Sequence, residues 1–297
     1  MAALYGLGAR WRARWWRRRA RRLPKPVLSV GNLTFGGTGK TPFVIHACVE
    51  LARRGRRVAI LSRGYRALGP EGNDEALVID RHLPSIPHVL GPDRHAAGLT
   101  VADDVDIFVL DDGFQHLPLW RDIDVVLVDA TAPFGGGWCP PAGRLREPLT
   151  ALGRATFVVL TRADLVDRET LGAVMRTVRA HTAAPIATAA FPPSCDADLS
   201  GKEVCVACAI GNPAAFVRTV ESLGARVVTR RFFRDHHAYT DGDAAELARP
   251  GLPVVITEKD AVKLEALWPG AVPLHVVRIA LEVRDGAAEL DALFDRL

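Results

Sequence analysis

The chain is poor in several things, and each shortage excludes something. Cysteine is one: five residues in 297. Cys48, Cys139, Cys195, Cys205 and Cys208 follow no disulfide framework spacing, so a stapled secreted scaffold is excluded. Cys205-x-x-Cys208 has the spacing of a redox or zinc pair. It lies inside the apolar run 204–210, with no second ligand pair nearby, so buried structural thiols in a reducing cytoplasm are expected. No apolar run approaches the ~20 residues that span a bilayer. No hydrophobic segment of signal-peptide type is present either. There is no internal repeat and no low-complexity linker. Lysine is scarce, with five against thirty-three arginines. Acid is missing from residues 1–25, which hold eight arginines and Lys25. That tail is about +9 while the whole chain is +4, so the remainder is acidic. A basic tail of this kind is not a nucleic-acid-binding face, and no nucleic-acid partner is expected.

What is present is globular: 48% hydrophobic and 24% charged residues. The length accommodates one large α/β domain or two smaller ones, with a sizeable core. In the tail, Leu4, Leu7 (or Gly8), Trp11 and Trp15 recur at helical spacing, with arginines opposite and Trp16 beside the stripe. Rings at headgroup level and cations on anionic lipid describe an interfacial helix, so residues 1–23 are expected at a membrane surface. Pro24 and Pro26 end it.

The organising stretch is VLSVGNLTFGGTGKTPFVI, residues 27–45. An apolar strand runs into Gly36-Gly37-Thr38-Gly39-Lys40-Thr41 and then into an apolar-periodic helix. That is a phosphate-binding loop, with Thr34 where the common pattern begins with glycine. The glycines let backbone N–H groups converge on an anion. The helix N-terminus adds its partial positive charge. Lys40 is placed for the β- and γ-phosphates and the Thr41 hydroxyl for Mg²⁺. Thr34, Phe35, Gly36, Gly37, Thr38, Gly39, Lys40 and Thr41 therefore form the expected nucleotide site.

Further motifs sit at the ends of apolar runs, where open α/β sheets place ligand contacts. Arg63-Gly64-Tyr65-Arg66 follows 58–62. Asn73-Asp74-Glu75 is expected in a loop before the run 76–79. Asp111-Asp112-Gly113-Phe114-Gln115-His116 follows 107–110, and an acid there is the usual second Mg²⁺ anchor. Adjacent acids point to opposite sides of an extended chain, so one task for both is not expected. The stretch 133–148, ending Gly143-Arg144-Leu145-Arg146-Glu147-Pro148, has the glycines, aromatics and charges of a functional loop. Thr161-Arg162-Ala163-Asp164 resembles the base-reading loop of some nucleotide hydrolases. Asp235-His236-His237-Ala238-Tyr239 precedes a helix; side-by-side histidines rarely share an ion, so a hydrogen-bonded or phosphate-facing histidine is expected. Thr257-Glu258-Lys259-Asp260 follows another strand. The chemistry is that of a Mg²⁺-nucleotide phosphotransferase, with Asp74, Asp112 or His236 as candidates to take a proton. A regulatory or metal-chaperone GTPase is the alternative, and a non-catalytic membrane scaffold a second.

Taken in order, VGNLTxGGTGKTP, SRGY, DE, DDGFQH, GRLREP, TRAD, IGNP, RDHHAY and TEKDAVKL resemble the tetraacyldisaccharide 4′-kinase family over about residues 27–264. The family also shows the Thr34 departure. The resemblance implies transfer of the ATP γ-phosphoryl group to the 4′-hydroxyl of an acylated disaccharide 1-phosphate, in lipid A biosynthesis, peripherally at the cytoplasmic face of the bacterial inner membrane. It implies ATP as substrate with Mg²⁺, and two α/β domains joined by a short β-ribbon. By matching motifs, Asp74 corresponds to the catalytic aspartate and His236 to its partner, with Lys40 in the catalytic set. Asp111, Asp112 and Glu147 match acids around Mg²⁺, with Thr41. Asn32, Arg94, Gln115 and His116 are the expected contacts to the acceptor. This chain has Asn73 and Ala76 where the family usually has glycine and proline, so the setting of Asp74 differs. The expected fold is α/β: a P-loop domain at 24–190 with a parallel sheet flanked by helices, and a smaller α/β domain at 191–297 closing over the site.

Overall fold

The computed structural model describes residues 18–64 and 74–297, and from the tail residues 6, 8, 9, 11, 12, 15 and 16. Leu4, Leu7, Tyr65, Arg66 and Asn73 lie outside the described residues. The chain divides into two compact units, one of residues 1–65, 82–191 and 281–297, the other of 66–81 and 192–280.

The first unit is built on strands β1 (Val27–Asn32), β2 (Val58–Ser62), β3 (His88–Leu90), β4 (Ile107–Asp111), β5 (Ile123–Asp129), β6 (Phe157–Thr161), β7 (Ile186–Ala190) and the late strand β13 (Glu282–Asp285). They form one sheet in the order β13-β7-β6-β5-β1-β4-β2-β3. Every pairing is parallel except β13 on β7. β1, β2 and β6 are buried at every residue, and β4 and β5 at all but their final aspartates. Continuous apolar strands of this kind need cover on both faces. On one face, Val126, Val128, Val158 and Leu160 pack with Leu33, Val174 and Val178, and further along the same face Val27, Ala59, Leu61, Phe108 and Leu110 pack with Leu119. Helix α1 (Lys40–Arg53) buries Phe43, Val44, Ala47, Cys48 and Leu51, an i, i+4, i+8 stripe.

The second unit has helix α2 (Asp74–His82), of which 74–81 belong here. Its strands are β8 (Pro193–Cys195), β9 (Glu203–Cys208), β10 (Arg226–Phe232), β11 (Val254–Thr257) and β12 (Leu274–Ile279), in the order β10-β9-β11-β12-β8. The pairings are parallel except β12 with β8. Side chains alternate between two cores with period two. Cys205, Ala207, Val254, Ile256 and Val276 enter one; Val204, Val206, Cys208, Val255 and Val277 enter the other. Cys205 and Cys208 therefore point to opposite faces and can share neither a metal nor a disulfide. Burial raises both thiols, Cys208 to about 12.

Two expectations are corrected. The division at 191 does not hold to the end of the sequence. Residues 281–297 return to the first unit, where β13 pairs with β7 and helix α8 (Ala287–Asp295) buries Leu290, Leu293 and Phe294. Arg54 of the first unit holds both Asp291 and Asp295 at 2.8 Å. The acidic pair at 74–75 does not sit in a loop; it opens α2, where the helix N-terminus favours negative charge. The strands that flank the passages at 191–193 and 280–281 are those paired antiparallel, β7 with β13 and β8 with β12.

The described tail residues 6, 8, 9, 11, 12, 15 and 16 are helical. Trp11 is 69% exposed and Trp15 40%; one turn apart, they share a face. Arg19 lies 4.5 Å over the Trp15 ring. The tail is anchored just beyond: Arg21 N–H donates to the Pro118 carbonyl, Trp120 N–H to the Arg21 carbonyl, and the Arg21 guanidinium meets Asp93 at 2.6 Å. No helix among the described residues is long and apolar enough to cross a membrane.

Candidate active site

In the first unit, the loop between β1 and α1 is braced from every side. Asn32, fully buried at the end of β1, donates from Nδ2 to Thr38 Oγ1 at 2.9 Å and to the Gly36 carbonyl at 3.4 Å. Thr161 Oγ1 donates to the Thr38 carbonyl at 3.0 Å, and Arg162 to the Gly37 carbonyl at 3.0 Å. Arg162 also pairs with Asp129 and lies over the Phe191 ring. On the other side, Thr34 bridges to Leu145, Phe35 N–H donates to the Arg144 carbonyl, Arg146 N–H to the Leu33 carbonyl, and the Arg144 side chain to the Phe35 carbonyl. Gly39 has φ +87°, and a Cβ there would stand 2.1 Å from the Phe191 ring, so only glycine fits. The carbonyls of Gly36, Gly37 and Thr38 are taken up by these braces. Carbonyls drawn outward in this way suit a loop whose N–H groups are to bind an anion.

Lys40 opens α1, and its Nζ is 3.5 Å from Asp112 Oδ1. Asp111 ends β4, beside β1, in register with Val30. The two aspartates diverge as expected of neighbours. Asp111 Oδ2 accepts from Ser62 Oγ at 3.5 Å, and Ser62 Oγ is 2.8 Å from His88 Nε2. Asp112, with φ +50°, accepts twice from Arg146 Nη1, at 2.8 and 2.9 Å. Burial acts to raise the Asp112 carboxyl, but Lys40 and Arg146 hold it below its ordinary value.

Several of the expected site residues have protein partners of their own. Glu147 is 1% exposed and bound by both ends to Arg154, at 2.9 Å each, while Arg154 lies 4.3 Å over Phe114. It forms a buried ion pair in this structure. Asn32 and Gln115 both hold the loop. Asn32 braces the loop, and Gln115 Nε2 donates to the Asn32 carbonyl at 2.9 Å. His116 is half-buried, and burial, then Arg94 and Arg121, bring it down to about 4, so it is a neutral imidazole at pH 7. Arg94 follows Asp93, which caps helix α3 (Arg94–Leu99). It is 5% exposed, donates from Nη1 to the Pro92 carbonyl, and has its pKa lowered by burial and by Arg63.

The oxygen donors Thr41 and Asp111 fit a small hard cation. Among the described residues no group of three or more His, Cys, Asp and Glu could hold an ion by itself. Mg²⁺ is ordinarily bound in that way, through one or two carboxylates and the substrate's phosphates.

In the second unit, Asp74 is 2% exposed. His236 Nδ1 lies 3.1 Å from Asp74 Oδ2, 162 residues apart in sequence. Both belong to the same unit, so Asp74 is not part of the P-loop domain expected at 24–190, and its pairing with His236 needs no closure between units. His236 has φ +63°, a turn geometry non-glycine residues rarely adopt, and its Nε2 lies 3.9 Å from Asp235 Oδ1. His237 goes instead to Asp243 at 3.1 Å and stacks on Phe233 at 4.8 Å. Lys263 joins this cluster and Lys259 flanks it; both lie in the TEKDAVKL motif, where neither has an expected role. Lys263, on helix α7 (Glu258–Leu264), donates to Asp74 Oδ2 at 2.9 Å, and Lys259 meets Glu75 at 2.7 Å. Their signal was available: two of only five lysines, spaced i, i+4 on one helix face. Arg162, expected in a base-reading loop, stands instead at the end of β6 and braces the phosphate loop.

Comparison with known proteins agrees with this geometry. The profile of a family described as tetraacyldisaccharide-1-P 4′-kinase matches residues 1–297. A tetraacyldisaccharide 4′-kinase from Anaeromyxobacter sp. (strain K) is 40% identical over 306 residues, covering 91% of this chain and 81% of that one. One from Pelobacter propionicus is 38% identical, covering 98% and 89%. Among solved structures, LpxK from Aquifex aeolicus in complex with ATP is similar with a TM-score of 0.82 and 27% identity, over 99% of this chain and 96% of that chain.

Proposed function

The chain belongs to the tetraacyldisaccharide 4′-kinase family, and from that premise we propose that Asp74 takes the acceptor's proton while the loop at 34–41 holds the ATP phosphates. The reaction is transfer of the γ-phosphoryl group of ATP to the 4′-hydroxyl of the lipid A precursor. As the 4′-oxygen forms its bond to the γ-phosphorus, the bond to the β-phosphate oxygen breaks and ADP leaves. The hydroxyl proton passes to an Asp74 carboxylate oxygen, with His236 orienting that carboxylate. Lys40 and the loop N–H groups stabilise the charge on the transferring group. Mg²⁺, held by Thr41 and Asp111 together with the nucleotide, would neutralise the phosphate oxygens. Asp112 is shared by Lys40 and Arg146, and Arg94 and His116 remain the residues proposed to meet the acceptor. Arg162 braces the loop through the Gly37 carbonyl and Asp129, which gives the stretch 161–164 a part in the phosphate loop that needs no guanine base.

The observation that carries this reading is a carboxylate buried to 2% exposure with a histidine and a lysine both on Oδ2. The test is transfer of labelled γ-phosphate from Mg-ATP to a tetraacyl disaccharide 1-phosphate in detergent micelles. Asp74→Ala is expected to lower kcat about 100-fold with ATP affinity unchanged, as for loss of a general base. Turnover near wild type would remove Asp74 from the chemistry.

The tail helix is proposed to rest on the membrane that holds the acylated substrate, at the cytoplasmic face of the bacterial inner membrane, where ATP is available. Exposed Trp11 and Trp15 on one face, among arginines, support this. A chain lacking residues 1–17 keeps the anchor at Arg21. It is expected to lose sedimentation with vesicles containing anionic lipid and to lose activity on long-chain substrate. Unchanged sedimentation would refute the interfacial role.

A further inference from the structure

Lys263 is 7% exposed at its side chain, in a chain with five lysines. A buried ammonium is unfavourable unless it is paired and hydrogen-bonded. Its partners are specific: Asp74 Oδ2 at 2.9 Å, the His237 carbonyl at 2.9 Å, and the Tyr239 ring at 5.6 Å. The His237 carbonyl belongs to the turn that carries His236. One ammonium thus ties the candidate base to the backbone beside its histidine partner.

The contacts on the carboxylate are asymmetric. His236 Nδ1 and Lys263 Nζ both lie on Oδ2. Among the described residues, no hydrogen bond reaches Oδ1. One turn earlier on α7, Lys259 meets Glu75, but that pair is 36% and 40% exposed and is worth little by itself. The two lysines grip two successive acids at the first turn of α2, and only one of the grips is buried.

We infer that Lys263 is a positioning residue for phosphoryl transfer: with His236 it fixes Asp74 through Oδ2 and so presents Oδ1 to the acceptor hydroxyl. This rests on the reading of Asp74 as base. A carboxylate free to rotate would offer either oxygen in many directions; one pinned at Oδ2 is set for a single approach. Lys263 touches neither substrate nor nucleotide in this scheme and acts through Asp74 alone.

The test uses the full chain and the micelle transfer assay, with four variants: K263M, K263R, K259M and D74A, plus the double variant D74A/K263M. K263M is expected to lose about 30-fold or more in kcat with the KM for ATP unchanged, a fraction of the loss of a general base. K263R, which keeps the charge and a donor, is expected to recover part of that loss. K259M is expected to stay near wild type. D74A/K263M is expected to be no slower than D74A, because Lys263 has nothing left to position. Melting temperatures read alongside separate folding from turnover, and if K263M does not fold, K263R and the double variant carry the test. An inactive D74A with K263M at wild-type turnover would overturn the role of Lys263 and leave the base reading standing. A further loss in the double variant would also overturn it, since Lys263 would then act elsewhere. An active D74A would remove both.

Discussion

Lys40→Ala is expected to lower γ-phosphoryl transfer about 1,000-fold, the scale of losing a charge that acts in the transition state. The position is set by backbone geometry. Gly39 at φ +87° turns the chain so that Lys40 becomes the first residue of α1, with its side chain 12% exposed and its ammonium 3.5 Å from Asp112. No other lysine of the first unit's described residues stands at this helix start, and Arg146, the second cation on Asp112, already holds both of its carboxylate oxygens. Lys40→Arg is not expected to restore activity, because a planar guanidinium does not replace a compact ammonium at this site. The check is the labelled-phosphate assay with a melting curve on the same preparation. A folded Lys40→Ala enzyme with turnover near wild type would mean that the loop binds phosphate without taking part in transfer.

Glu147→Ala is expected to act on stability rather than on metal. The carboxylate is 1% exposed and holds Arg154 by two bonds of 2.9 Å. Removing it leaves a guanidinium, 26% exposed at its side chain, against Phe114 without its counter-charge. Breaking such a pair costs about 3 kcal/mol, or roughly 6–12 °C in melting temperature for a chain of this size. The Mg²⁺ concentration needed for half-maximal activity should not move. Replacing both residues together, Glu147→Leu with Arg154→Leu, should regain most of the lost stability, since apolar residues of similar volume tolerate such a site. A Mg²⁺ requirement raised in Glu147→Ala, with melting unchanged, would return Glu147 to the metal.

The sheet of the first unit was legible because its central strands carry short apolar runs and are buried along nearly their whole length, so no solvent-facing alternation competes with that reading. The phosphate loop was legible because glycine, lysine and threonine occur there in a fixed order that few other structures require. The finer roles were not, and the reason is physical. Asn32 and Gln115 stand in the right motifs, but whether an amide faces a ligand or a backbone carbonyl depends on the loop's folded path. Glu147 is three residues from Arg144 and one from Arg146, yet it selects Arg154, seven residues on, because the 3₁₀ helix Leu149–Arg154 brings that guanidinium back over Phe114. The acids at 74–75 looked like a loop because the run after them is only four residues long. Their lysine partners lie almost two hundred positions away, beyond the reach of any local pattern.

The threading of the chain between its two units bears on how the protein is made. Residues 66–81 leave the ribosome early, but the strands of their own unit follow only from 193 onward. For more than a hundred residues of synthesis, α2 has none of the neighbours that its acids bind. The first sheet in turn gains its last strand, β13, only at 282–285. Neither unit can be completed before the other has been largely translated, so the N-terminal-first order usual for tandem domains is closed to this chain. The aspartate assigned here to the chemistry is among the first functional residues synthesised and among the last to reach its partners. Cutting the gene at 191 would yield two fragments, the second of which lacks that aspartate altogether.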